Sequence, residues 1–132
     1  MFSYYIHIEK QILEETLTVR DKDVLHYRIT YPKFVSGAFR RTLGEINRFY
    51  QKKAREYRQH CRTILYAQAA ERVLCDPEGK FPVIPYEAIV DFSVTYNDDC
   101  VVSLYFDRYE FTGGAHGNTV RSSDTWGLQS GR

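Results

Sequence analysis

From Phe39 the apolar residues take up a helical period. Phe39, Leu43, Ile46, Tyr50, Ala54, Tyr57, Cys61 and Ile64 fall on one line that Gln68 continues, so one stripe of a long helix asks to be buried. The runs on either side have period two. Before it, Leu25, Tyr27, Ile29 and Tyr31 alternate with His26, Arg28 and Thr30; after it, Ala88, Val90, Phe92, Val94 and Tyr96 alternate with Glu87, Ile89, Asp91, Ser93 and Thr95. Such alternation is the pattern of half-buried strands. A helix between two sets of strands must lay its stripe on their sheet, which predicts an α+β fold: an antiparallel sheet packed against one long helix, with residues 1–132 as a single domain. Ser36 reads as the N-cap. Continued to Leu74 the helix would be about 57 Å long at 1.5 Å per residue, against about 35–40 Å for a compact domain of this size. A bend, break or protrusion is therefore expected at Cys61 to Ile64, and the turn cluster Cys75-Asp76-Pro77-Glu78-Gly79-Lys80 stops the helix.

The remaining strands follow from the same alternation. Tyr4, Ile6 and Ile8 alternate with Tyr5, His7 and Glu9, a second β-type run spans Ile12 to Val19, and Arg20-Asp21-Lys22-Asp23 turns the chain. Pro32 is expected to end its strand by removing a ladder donor. Pro82 and Pro85 make an extended connection, and Asn97-Asp98-Asp99 is a turn. Val102, Leu104 and Phe106 share one parity while Tyr109 and Phe111 take the other, which predicts a bulge at Asp107-Arg108. Asn118 to Trp126 is a weaker strand rich in Ser and Thr.

Charge and cysteines exclude several functions. The net charge of +1 gives no whole-molecule attraction to nucleic acid or an anionic membrane. Between Gly37 and Arg62, eight basic residues (Arg40, Arg41, Arg48, Lys52, Lys53, Arg55, Arg58, Arg62) stand against Glu45 and Glu56, and the helical period explains them as the solvated face of an amphipathic helix. Cys61, Cys75 and Cys100 have no zinc spacing, and an odd count argues against a disulfide framework. The first ten residues lack a basic region followed by an apolar core, and no stretch reaches 18 apolar residues, so the chain reads as soluble, with no signal peptide or transmembrane segment.

The most distinctive local feature is Tyr109-Glu110-Phe111-Thr112-Gly113-Gly114-Ala115-His116-Gly117-Asn118. Three glycines in five residues free the backbone for positive φ or for close approach of another group. The plain reading is a strand-to-strand corner with the imidazole hydrogen-bonded to backbone; the functional one is a ligand-contacting loop. Neither a Gly-x-Gly-x-x-Gly spacing nor a phosphate-binding Lys-Ser/Thr ending is present, and no cofactor is implied.

Together with Tyr31-Pro32, Glu45-Ile46-Asn47-Arg48-Phe49-Tyr50, Tyr96-Asn97, Val102-Ser103-Leu104 and Leu128-Gln129-Ser130-Gly131-Arg132, that loop resembles the PdaC/RsiV-like domain shared by the anti-sigma-V factor and peptidoglycan deacetylase C. The resemblance spans roughly residues 5 to 132. It implies an α+β module outside Gram-positive cells, a lysozyme receptor in the anti-sigma factor and an accessory to a separate catalytic domain in the deacetylase. The family pattern continues past Arg132 into a C-terminal half, and has an acidic residue where Gly127 stands. The histidine and aspartate metal motifs of the deacetylase catalytic domain have no counterpart here.

Three functions compete at this level. The first is a non-catalytic recognition module of the cell envelope whose ligand is a lysozyme-like protein or peptidoglycan, contacted through Tyr109, Thr112, Gly113, Gly114, His116, Gly117, Asn118 and Trp126, with Tyr105 nearby. An open strand edge near residues 118–126 would also allow a homodimer. The second is a small hydrolase using His116 with Asp124, or a metal site adding His7 or His26; no hydrolase or metalloprotease motif accompanies those residues. The third takes the basic helix as a nucleic-acid surface, which the solvated-face reading displaces.

Overall fold

The computed structural model describes residues 6–129. The expected strand positions Tyr4 and Tyr5, and the Ser130-Gly131-Arg132 ending, lie outside the described residues. Along the chain run β1 (His7–Val19), β2 (Lys22–Val35), α1 (Arg40–His60), a π-helical turn (Cys61–Leu65), α2 (Tyr66–Leu74), β3 (Tyr86–Asp98), β4 (Val101–Phe111) and β5 (Asn118–Gly127). The strands form one sheet in the order β1-β2-β3-β4-β5. The α+β expectation holds, with a refinement: the sheet is mixed. β2 and β3 pair in parallel over Leu25–Ile29 and Tyr86–Val90, because the long helical crossover returns the chain to the end from which β2 started; the other pairings are antiparallel.

Ile12 to Val19 is not a separate run, since β1 is continuous from His7. Two-residue hairpins close β1/β2 and β3/β4, with positive φ at Arg20 and Asp21 (52° and 64°) and at Asp99 and Cys100 (51° and 62°), the backbone that matches the right-handed twist of paired strands.

The interruption expected at Cys61 to Ile64 is the π-helical turn. Its wider winding keeps Cys61 and Leu65, four residues apart and both buried, in line with Ala54 before and Ala69 and Val73 after. This stripe packs on Leu25, Tyr27, Ile29 and Ala88 in one cluster, while Leu43, Ile46 and Tyr50 pack on Phe34, Phe92, Val102, Leu104 and Leu128 in a second.

Three local expectations are corrected. The helix starts at Arg40 after Phe39, which has φ 56° and no side-chain cap; Ser36 instead accepts the Ala38 N–H at 3.1 Å, within the preceding turn. β2 runs through Pro32, opposite Lys10, to Val35. Beyond Ile29 it no longer pairs with β3, and a strand with one neighbour can carry a proline. There the amide of Asn47 replaces a strand, taking the Phe34 N–H at 2.8 Å and donating to the Phe34 carbonyl at 3.0 Å. Asn97 does the same for Ile6, at 3.1 and 2.7 Å.

There is no bulge at Asp107-Arg108, where β4 keeps one-to-one register with both neighbours; the irregularity lies in β3 between Val94 and Tyr96. The even-numbered positions of β4 go on facing the helix after Phe106, but they are Arg108 and Glu110, and Tyr57 meets both. Polar residues on the helix face, with Arg108 exposed there, and half-buried Tyr109 on the other face imitate the change of parity a bulge would produce.

Candidate functional site

Where α1 passes over β4 and β5, helix and sheet do not close completely. They leave an open groove of about 460 Å³, with Tyr50, Lys53, Ala54, Tyr57 and His60 from the helix on one side, Ile29, Val90, Phe106 and Arg108 below, and Val120, Ser122 and Asp124 of β5 opposite. That volume lies in the usual range for small-molecule sites, about 300–1,000 Å³, and a mostly apolar lining with a few placed polar groups is their usual composition.

Two tyrosines of the helical stripe bring hydroxyls into this contact, and a buried hydroxyl requires a partner. Tyr50 donates to Asp124 at 2.7 Å and accepts from the Trp126 indole N–H at 2.6 Å. One turn pair further along, Tyr57 donates to Glu110 at 2.6 Å, with the Arg108 guanidinium 5.4 Å from its ring centre and His60 stacked on it at 5.9 Å. Burial pushes both phenols far above their ordinary range; the Asp124 carboxylate adds to the shift at Tyr50, against the Trp126 N–H, and Glu110 adds to it at Tyr57. Burial likewise raises the Cys61 thiol, to about 12, with Glu110 contributing. These tyrosines are neutral at physiological pH and their protons are held by carboxylates, so they serve as donors and aromatic walls. Among the described residues no three His, Cys, Asp or Glu side chains are grouped to hold a metal ion.

The residues singled out in the sequence are only partly brought together. Gly113 and Gly114 have φ of 86° and 102° as expected. At Gly117 the requirement is space, since a Cβ there would overlap the Tyr109 ring. Thr112, His116 and Asn118 are exposed on the same corner. Tyr109 pairs with Thr119 on the face away from the helix, whereas Asn118, opposite Glu110, shares the helix face of β5 with Val120, Ser122 and Asp124, which line the groove. Trp126 shares that face, opposite Val102, but eight residues along β5, about 27 Å at 3.4 Å per residue. Asp124 is committed to Tyr50, not to His116. His26 bonds Glu14 at 2.8 Å, and His7 lies 3.8 Å from Glu9, both on β1 or β2 away from the groove. Tyr50, Tyr57, Arg108 and Glu110 were missed as site residues. The available signal was a pair of tyrosines, the hydroxyl-bearing rings on a stripe otherwise mostly apolar.

Fold and groove together define an α+β module with a ligand-sized cleft between its one long helix and the outer strands of its sheet. The chain belongs to the family described as Deacetylase PdaC, whose family model matches residues 18–119. It is 23% identical over 111 residues to the peptidoglycan-N-acetylmuramic acid deacetylase PdaC of Bacillus subtilis (strain 168), a match covering 84% of this chain and 20% of that protein. Two crystal structures of DUF3298 family proteins share the fold. The one from Bacteroides fragilis has a TM-score of 0.67 at 15% identity over 99% of this chain, and the one from Pseudomonas aeruginosa PAO1 has 0.54 at 18% over 96%. The chain spans 60% and 54% of those two proteins. Among the described residues no helix is long and apolar enough to cross a membrane.

Proposed function

We propose that this chain is a non-catalytic recognition module of the bacterial cell envelope, and that it binds a glycan strand of peptidoglycan along the helix–sheet groove. The observation that carries the reading is the pair of tyrosine–carboxylate contacts flanking the groove. Each holds an aromatic ring and a carboxylate in place before any ligand arrives, so little ordering entropy remains to be lost on binding. A sugar presents apolar C–H faces, which stack on rings such as Tyr57 and Phe106, and hydroxyl and amide groups, which pair with carboxylates and with Arg108. The relative's name, a deacetylase of peptidoglycan N-acetylmuramic acid, supports the ligand class. With both phenols neutral and engaged, neither is a base at neutral pH.

The test is calorimetric titration with soluble peptidoglycan fragments and, separately, with lysozyme. Wild type is compared with Arg108→Ala, with Ser122→Trp to fill the groove, and with His116→Ala in the corner, folding being checked by circular dichroism. Loss of a hydrogen bond to a charged group, about 1.5–3 kcal/mol, makes Arg108→Ala roughly tenfold or more weaker. Ser122→Trp abolishes glycan binding, and His116→Ala leaves it unchanged. Binding to lysozyme alone, glycan affinity untouched by Ser122→Trp, or turnover of the fragments would each overturn the reading.

A further inference from the structure

The groove between α1 and the sheet carries charges of both signs, and they differ in what holds them. The carboxylates of its lining are committed: Asp124 takes the Tyr50 hydroxyl at 2.7 Å, and Glu56 lies 3.9 Å from Lys52 on the helix. Glu110, just beyond, takes the Tyr57 hydroxyl. The cations are not committed. Among the described residues neither Lys53 nor Arg108 forms an ion pair, and each leans on an aromatic ring instead: Lys53 Nζ is 4.7 Å from the centre of Phe49, and the Arg108 guanidinium is 5.4 Å from the centre of Tyr57. Arg108 stands on β4 between Val90 and Val120, so the residues opposite it on both neighbouring strands bring no acceptor. His60 stacks on the same Tyr57 ring at 5.9 Å. Lys53, Tyr57 and His60 follow one another at i, i+4 and i+7 along one side of α1, about 10.5 Å from end to end at 1.5 Å per residue.

We propose that Arg108, with His60 and Lys53 on the helix side of the groove, receives a carboxylate of the bound sugar, so that the groove selects glycan strands whose acidic sugar carries no peptide. This rests on the glycan reading and names the class of strand within it. Peptidoglycan alternates a neutral sugar with one that bears a carboxylate; with a peptide attached that group is an uncharged amide, and without one it is an anion. A guanidinium is planar and forks two N–H groups onto one carboxylate, and lying over a ring leaves the edge that carries those groups free. The imidazole of His60 supplies a further donor, and Lys53 adds positive potential. An amide presents one carbonyl oxygen in place of two anionic ones, so it loses both the second bond and the charge.

The experiment titrates three oligomers of equal length calorimetrically into the chain: the peptide-free strand with free carboxylates, the same strand with its carboxylates converted to amides, and a neutral N-acetylglucosamine oligomer. Wild type binds the free acid at least about tenfold more tightly than the amide, as a bond to a charged group requires, and added salt narrows the gap. The neutral oligomer binds like the amide. In Arg108→Gln, its fold checked by circular dichroism, the gap closes, because the free acid weakens while the amide barely changes; in Lys53→Gln it narrows. Binding of none of the three would overturn the glycan reading and this inference with it. Equal affinity of wild type for acid and amide, a neutral oligomer bound as tightly as the acid, or a gap that survives Arg108→Gln would overturn this inference alone and leave the glycan reading standing.

Discussion

Replacing Asn47 with alanine removes the side chain that stands in for a strand where β2 leaves β3. Its amide makes two bonds, 2.8 Å from the Phe34 N–H and 3.0 Å to the Phe34 carbonyl, and Phe34 is itself only 3% exposed. An unpartnered buried donor or acceptor costs about 1–3 kcal/mol. Partial access of water to a site at the helix–strand boundary favours the lower part of that range for each group. The sum is about 2–4 kcal/mol, a large share of the roughly 5–15 kcal/mol that a domain of this kind has in total. At roughly 4 °C per kcal/mol for this chain length, Tm falls by roughly 8–16 °C. Thermal denaturation followed by circular dichroism measures this, with Arg48→Ala, an exposed change one position away, as the control expected within about 0.5 kcal/mol of wild type. An Asn47→Ala protein that melts with the control would show that water replaces the amide without cost and that the clamp stabilises nothing.

Leu43→Ala and Ile46→Ala, both 2% exposed in the second core cluster, are each expected to cost about 2–5 kcal/mol; unchanged urea midpoints in both would contradict the helix-on-sheet packing. Gly117→Ala destabilises because its Cβ meets the Tyr109 ring, so the penalty should shrink in a Tyr109→Ala background; equal penalties in the two backgrounds would exclude the clash as cause. Cys61, Tyr50 and Tyr57 have folded pKa values raised above their unfolded ones. The stability they contribute is therefore present below the unfolded values, about 8.5 for Cys and 10 for Tyr, and is lost as pH rises beyond them. Denaturation from pH 8 to 11 should show this decline, and Tyr57→Phe should flatten it; an unaltered slope counts against the linkage.

The fold was legible because its main signals are periodic. A stripe from Phe39 to Cys61 and alternation at Leu25–Ile29 and Ala88–Phe92 each reflect one buried face, and length alone placed the interruption at Cys61, where the buried line passes to Leu65 and leaves Ile64 exposed; Val94 and Tyr96 are exposed as well. The groove was illegible for a related reason. Alternation assumes that polar residues point outward, and β4 breaks the assumption at Arg108 and Glu110, which turn inward to meet Tyr57. A tyrosine within an apolar stripe counts as core in such a reading, although its hydroxyl forces a carboxylate or another polar group to follow it inside. The most specific run of the family resemblance drew attention instead. In the fold its glycines supply positive φ at Gly113 and Gly114 and room for the Tyr109 ring at Gly117, while Asn47 and Asn97, from two other resembling stretches, complete the backbone of neighbouring strands. Residues that fix a backbone in this way must sit at defined spacings and so form visible motifs. The groove's polar groups come instead from α1, β4 and β5, separated in sequence by up to 74 positions in the Tyr50–Asp124 pair, and only the packing of the helix on the sheet assembles them. Under the proposed function the two places part in experiment: His116→Ala in the corner leaves glycan binding unchanged, while Arg108→Ala beside Tyr57 weakens it.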